Sequence, residues 1–301
     1  MDTKLFVRKQ AGGMFAVIDR GFCPGSVFFV DSSNAKASDA VGFGQNPDAP
    51  CATIDYAISL CTADKGDIIY VMPGHAETIE AAAAIACDIE GVSIIGLGNG
   101  DNRPTVTLDT GTDTTITVTA NNVTLQNLRF INTQDALVVG IAVTGTYCTI
   151  EGCEFIDAGA DNTVDWITAS AAADNLRVLD CRNEGTDTAG NESFISIGAT
   201  AHVEIRNLTS HGDFAAANIE CTAAPTDILI TGCHLENKNA VDVCIEGFAA
   251  ATGWVSHNCL HIATDGEDSG INTGGTLALF ENYTVNADAE TGMITGTVST
   301  T

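Results

Sequence analysis

The stretch "VTLQNLRF", Val123 to Phe130, is followed twenty-five residues later by "CTIEGCEF", Cys148 to Phe155. Both read apolar-x-apolar-x-Asn/Gly-apolar-x-apolar. The phrase returns as "LRVLDCRN" from Leu176, "VEIRNLTS" from Val203 and "ILITGCHL" from Ile228. Weaker copies are "WVSHNCLH" from Trp254 and "ALFENYTV" from Ala278, and "VSIIGLGN" from Val92 precedes them all. With the sixth residue of each copy as a ruler, Leu128, Cys153, Cys181, Leu208, Cys233, Cys259 and Tyr283 follow one another in steps of 24 to 28 residues. Self-similarity at such a period marks a protein of stacked repeats.

A second phrase keeps the same beat. Ile116, Ile141, Ile167, Ile195, Ile219, Ile245 and Ile271 precede their rulers by 12 to 14 residues, each within a short β-branched segment. Alternating apolar and polar residues rich in Val, Ile and Thr are a strand signal, and the Gly, Asn and Asp at their ends supply turns. No repeat holds a ten-residue run of helical period, so helical arrays are excluded, and the leucine consensus of leucine-rich repeats is missing. The pattern predicts an all-β coil of short parallel strands, a parallel β-helix of about eight or nine rungs, whose inward residues stack into ladders about 4.8 Å apart.

Composition agrees. A chain of 301 residues can bury one continuous solenoid core, and 30 glycines with 6% aromatics suit a narrow interior. No segment approaches the 18 apolar residues of a membrane span. The opening "MDTKLFVRKQAGGMF" has no apolar core of a signal peptide. Eleven cysteines, four of them at the ruler position (Cys153, Cys181, Cys233, Cys259), read as small buried hydrophobes held reduced rather than as a disulfide framework. That reading points all four inward in one ladder. The six histidines are scattered, with His234 and His257 at different ruler offsets, and no CxxC pair occurs, so neither a metal site nor a cofactor is expected.

Ahead of the repeats stand "PCATIDYAI" from Pro50 and "GDIIYVMPG" from Gly66. Asp48 and Pro50 can start a helix. Ile54, Ala57, Ile58 and Cys61 would form its apolar face, able to cover the open end of a coil, with "DIIYVMPG" as the first rung. An aromatic strand, a Gly/Asn/Asp loop and these two motifs together resemble the opening of the pectate-lyase-like β-helix superfamily. The resemblance implies a right-handed coil with a short N-terminal capping helix. The implied organisation is an arm and first strand over 1–30, a cap over 31–79 and β-helix repeats over 80–301.

Lyases of that superfamily use clustered acids with Ca²⁺ and an Arg or Lys base. This chain carries 12 Lys plus Arg against 39 Asp plus Glu, a net charge of −27 that repels a polyanionic substrate. Arg129, Arg177, Arg182 and Arg206 stand apart in the repeats. An inverting glycosidase needs carboxylates facing one sugar, for which the candidates are Asp157, Asp161 and Asp165, beside Trp166. The same acids also suit solvated turns, and the expectation is that the chain is not an enzyme.

The first twenty residues carry Lys4, Arg8, Lys9 and Arg20 against Asp2 and Asp19, with Leu5, Phe6, Val7, Met14 and Phe15 among them. A basic, apolar arm on an acidic rod suits attachment, so Lys4, Leu5, Phe6, Arg8, Lys9, Phe15 and Arg20 are the expected partner-binding residues. An acidic β-helix of this kind resembles the structural proteins of tailed bacteriophages. The resemblance implies a capsid decoration or spike protein folded in the host cytoplasm and carried on the virion. It would be a homotrimer bound to a larger assembly such as the major capsid protein, with no nucleic-acid or membrane partner. The alternatives are a carbohydrate-binding or carbohydrate-degrading tailspike-like protein and a surface adhesin module.

Overall fold

A computed structural model describes residues 6–8, 15–17, 25–159, 162–186, 190–239, 243–263, 270–274, 276–286 and 291–294. Three sheets run the length of a right-handed parallel β-helix of eight complete turns. Sheet I begins at Val27–Val30 and Ile68–Val71 and ends at Leu277–Phe280. Sheet II runs from Ala76–Ile79 to Asn282–Asn286, where Thr291–Ile294 adds an antiparallel edge. Sheet III runs from Ile85–Cys87 to Ile271–Asn272. The first strand of sheet I is therefore Val27–Val30, one rung before the "DIIYV" strand that the sequence had placed first.

The corner between sheets I and II explains the fifth residue of the first five copies of the phrase and the fourth of the last two. Asn127, Gly152, Asp180, Asn207, Gly232, His257 and Glu281 all have φ between +49° and +69°. Asn, Asp and Gly visit this left-handed region at least cost, hence their prevalence there. Asn127 also donates its side-chain amide to the carbonyls of Gly96 (2.7 Å) and Gly98 (3.0 Å), tying its corner to the preceding turn.

Inside, Ile141, Ile167, Ile195, Ile219 and Ile245 form one ladder with no exposed surface. Full burial of each contributes roughly 1.5–3 kcal/mol. An aromatic stack crosses the mid-coil, with Phe155 5.2 Å from Phe130, 5.4 Å from Trp166 and 5.3 Å from Phe194 between ring centres. The cap is a six-residue helix, Ile54–Ser59, burying Ile54, Ala57 and Ile58. Its N-cap is Thr53, whose hydroxyl accepts from the Tyr56 amide at 3.3 Å, rather than the Asp48–Pro50 start read from sequence.

The last two copies of the phrase are displaced by one residue. Cys259 pairs in register with His234 and Tyr283, not with Cys233. The inward place beside Cys233 is taken by Asn258, whose Oδ1 accepts from the Cys233 amide at 2.9 Å. Asn258 in turn donates to Asn282 Oδ1 at 2.9 Å, so the ladder continues as buried amides. Because side chains alternate with period two, a slip of one turns Cys259 outward. This corrects the four-cysteine ladder to Cys153, Cys181 and Cys233.

All ten cysteines among the described residues are free thiols; eight are buried, Cys61 is half-buried and Cys259 is exposed. Burial raises Cys51 to about 11 and Cys61, Cys221, Cys233 and Cys244 to about 12, suppressing the reactive thiolate. Alkylation of native protein, read by peptide mass mapping, should modify Cys259 first among these ten. Denatured, unreduced protein should give close to eleven free thiols; rapid native modification of Cys233 would contradict the register.

Candidate active site

No strand of sheet III contains Lys, Arg or His. Its outward row reads Thr117, Ala142, Thr168, Ser196, Glu220, Glu246 and Asn272, one residue per rung in register. A second row in register carries Val139, Asp165, Ser193 and Ala217, the last two buried. The middle strands depart from strict alternation, since Trp166 and Ile167 are buried in succession, as are Phe194 and Ile195. The 214–221 strand carries one extra residue opposite Asn191–Ser193, a bulge beside the acids.

Carboxylates from four rungs thus share one face. Burial, then the charges of Asp165, Glu192 and Glu246, push Glu220 up to about 7. Asp165 is also raised, chiefly by burial and further by Glu192, while the Ser193 hydroxyl, donating to it at 2.5 Å, opposes the shift. A carboxyl that holds its proton near neutrality, set among other carboxylates, is what a general acid requires. The arginines of the repeats are paired on the other two sheets. Arg129 donates to Glu154 at 2.8 Å on sheet II and Arg177 to Glu204 at 2.7 Å on sheet I. Arg182 pairs with Glu184 and Arg206 with Glu204.

Of Asp157 and Asp165, the two sequence-proposed acids among the described residues, Asp165 lies on this face. Asp157 points into the core, where it accepts from Thr163 Oγ1 (2.6 Å), Asn191 Nδ2 (2.8 Å), Asn132 Nδ2 (3.2 Å) and Trp166 Nε1 (3.4 Å). Trp166 is wholly buried and offers no stacking surface. Asp161 lies outside the described residues. Glu192, Glu220 and Glu246 were missed, although Glu220 and Glu246 each directly follow a ladder isoleucine, which was the available signal. Among the partner-binding candidates, Phe6, Arg8 and Phe15 lie on an antiparallel hairpin of Phe6–Arg8 with Phe15–Val17. Lys4, Leu5, Lys9 and Arg20 fall outside the described residues. Among the described residues no helix is long and apolar enough to cross a membrane.

No family model matches the chain, and no curated protein matches it. Among solved structures it is similar to a rhamnogalacturonan lyase at 14% identity and a TM-score of 0.54, over 81% of this chain and 75% of that one. It is also similar to pectate lyase Pel9A at 12% identity and a TM-score of 0.43, over 90% and 79% of the two chains. The rhamnogalacturonan lyase is named as an enzyme, and the expectation that this chain is not an enzyme is corrected on that finding. That expectation rested on net charge and on reading the candidate acids as turn residues, and carboxylates gathered from separate rungs leave no local motif to set against it. At this identity the likeness carries the fold and not the reaction. The architecture is the pectate-lyase-like right-handed parallel β-helix.

Proposed function

We infer that the chain is a carbohydrate-active β-helix protein that hydrolyses a glycosidic bond along the outer face of sheet III. The observation that carries this reading is Glu220, held near pH 7 among Asp165, Glu192 and Glu246. Glu220 is the general acid that protonates the departing sugar oxygen. Asp165, two rungs away, is the base that takes a proton from the attacking water. Two rungs across and three residues along the strands set the two backbones about 14 Å apart, and both side chains stand over the same face. A face without cations and with this many carboxylates disfavours a polyuronate, so the substrate class is a neutral polysaccharide.

The virion reading rested on the basic arm and on a resemblance, and the acidic face supports a carbohydrate-active protein in its place. The test is incubation with neutral and acidic polysaccharides while following reducing ends and unsaturated products. Neutral polymer should yield reducing ends, with rate falling as pH rises through about 7, where Glu220 loses its proton. Unsaturated product from a polyuronate, or no cleavage of any polymer, would overturn the reading.

A further inference from the structure

We propose that the outer face of sheet II near the C-terminal end is a transition-metal site, best matched to Zn²⁺, built from His234, Glu236, Cys259 and His261. The one-residue slip described above creates it. His234 pairs in register with Cys259, and Glu236 with His261. All four therefore occupy outward positions as a two-by-two grid, about 4.8 Å across the strands and about 6.6 Å along them. They line a groove of about 440 Å³ together with His211 and Tyr283.

Two imidazoles, a thiolate and a carboxylate are a borderline-soft donor set that favours Zn²⁺ over Ca²⁺ or Mg²⁺. Cys259 is the one exposed thiol among the described cysteines, set where a buried hydrophobe has no role. As the side chains stand, no three His, Cys, Asp or Glu groups among the described residues converge on one point. His261 is turned onto Glu236, with Nδ1 3.2 Å from Oε1. Side-chain exposures of 52% for His261 and 32% for Glu236 leave both free to swing, so closing the grid on an ion needs surface rotamer changes and no backbone movement. On binding, the Cys259 thiol releases its proton to solvent and its sulfur takes up the metal. The net charge of −27 concentrates cations around the rod but does not select this face.

The test uses the full chain, stripped of metal by a chelator and titrated with Co²⁺ or Zn²⁺ at physiological salt. One equivalent should bind saturably, with a thiolate-to-cobalt absorption band. Zn²⁺ should protect Cys259 from alkylation in a peptide mass map. Cys259→Ser should abolish the band, and His261→Ala should weaken Zn²⁺ binding at least tenfold, with circular dichroism unchanged in both. Glu220→Gln reports a cation held instead on the acidic face and should leave the titration as it is. Absence of saturable binding, full binding by the Cys259→Ser/His261→Ala double variant, or loss of binding in Glu220→Gln would each overturn the proposal.

Discussion

Glu220→Gln is expected to lower kcat on a neutral polysaccharide by roughly 10²–10⁴-fold, the usual contribution of a positioned general acid. Gln keeps the size and the hydrogen-bonding ends of the side chain but has no proton to give. The same substitution should make the protein more stable at alkaline pH. Glu220 titrates near 7 in the folded chain, above its ordinary value of 4.5, so the folded state binds more protons than the unfolded state between those pH values. Stability therefore falls as pH rises from about 4.5 to about 7, and the penalty persists above that range. For a partly solvated group the penalty is about 1 kcal/mol after screening. Paired thermal melts should show Glu220→Gln equal to the parent below pH 4.5 and melting a few degrees higher at pH 8. A variant that retains full activity would remove Glu220 from catalysis. A loss of stability at pH 8 would contradict the crowding of charge around it.

Asp157→Ala should be the most damaging single change to the fold, costing about 3–5 kcal/mol. Asp157 is 7% exposed and accepts from four donors, on Asn132, Thr163, Trp166 and Asn191. Removing the carboxylate strands all four donors in the core and opens a cavity against the aromatic stack. Asp157→Asn should be little better, because its amide nitrogen would face donors that need an acceptor. Asp165→Ala, on the partly solvated face and with Ser193 as its one side-chain partner here, should cost under about 1 kcal/mol while impairing activity. Urea melts of the three variants give the comparison. An Asp157→Ala protein as stable as Asp165→Ala would mean that the buried network contributes nothing.

The two acids show where local pattern stops being informative. Eight residues apart, both resemble turn carboxylates, and their alternation cannot say which one faces the core. The answer depends on Trp166 and Ile167 being buried in succession, which follows from how the aromatic stack fills the interior. The slip at Cys259 is of the same kind. "WVSHNCLH" matches the repeat best in one frame, yet the coil closes in the other, because Asn258 and Asn282 satisfy each other inside and His257 takes the left-handed corner.

What the sequence by itself determined was the solenoid. Strand period, corner residues and the isoleucine ladder are local signals repeated every 24 to 28 residues, and repetition turns weak local preferences into one architecture. The short apolar helix over one end was equally legible, since Ile54, Ala57 and Ile58 share a face in any helix. The site was decided only by the tertiary structure. Asp165, Glu192, Glu220 and Glu246 are 26 to 28 residues apart in the chain and form no motif. They act on one another because stacking brings each rung within about 4.8 Å of the next. There, burial first and the neighbouring like charges second raise Glu220 to about 7.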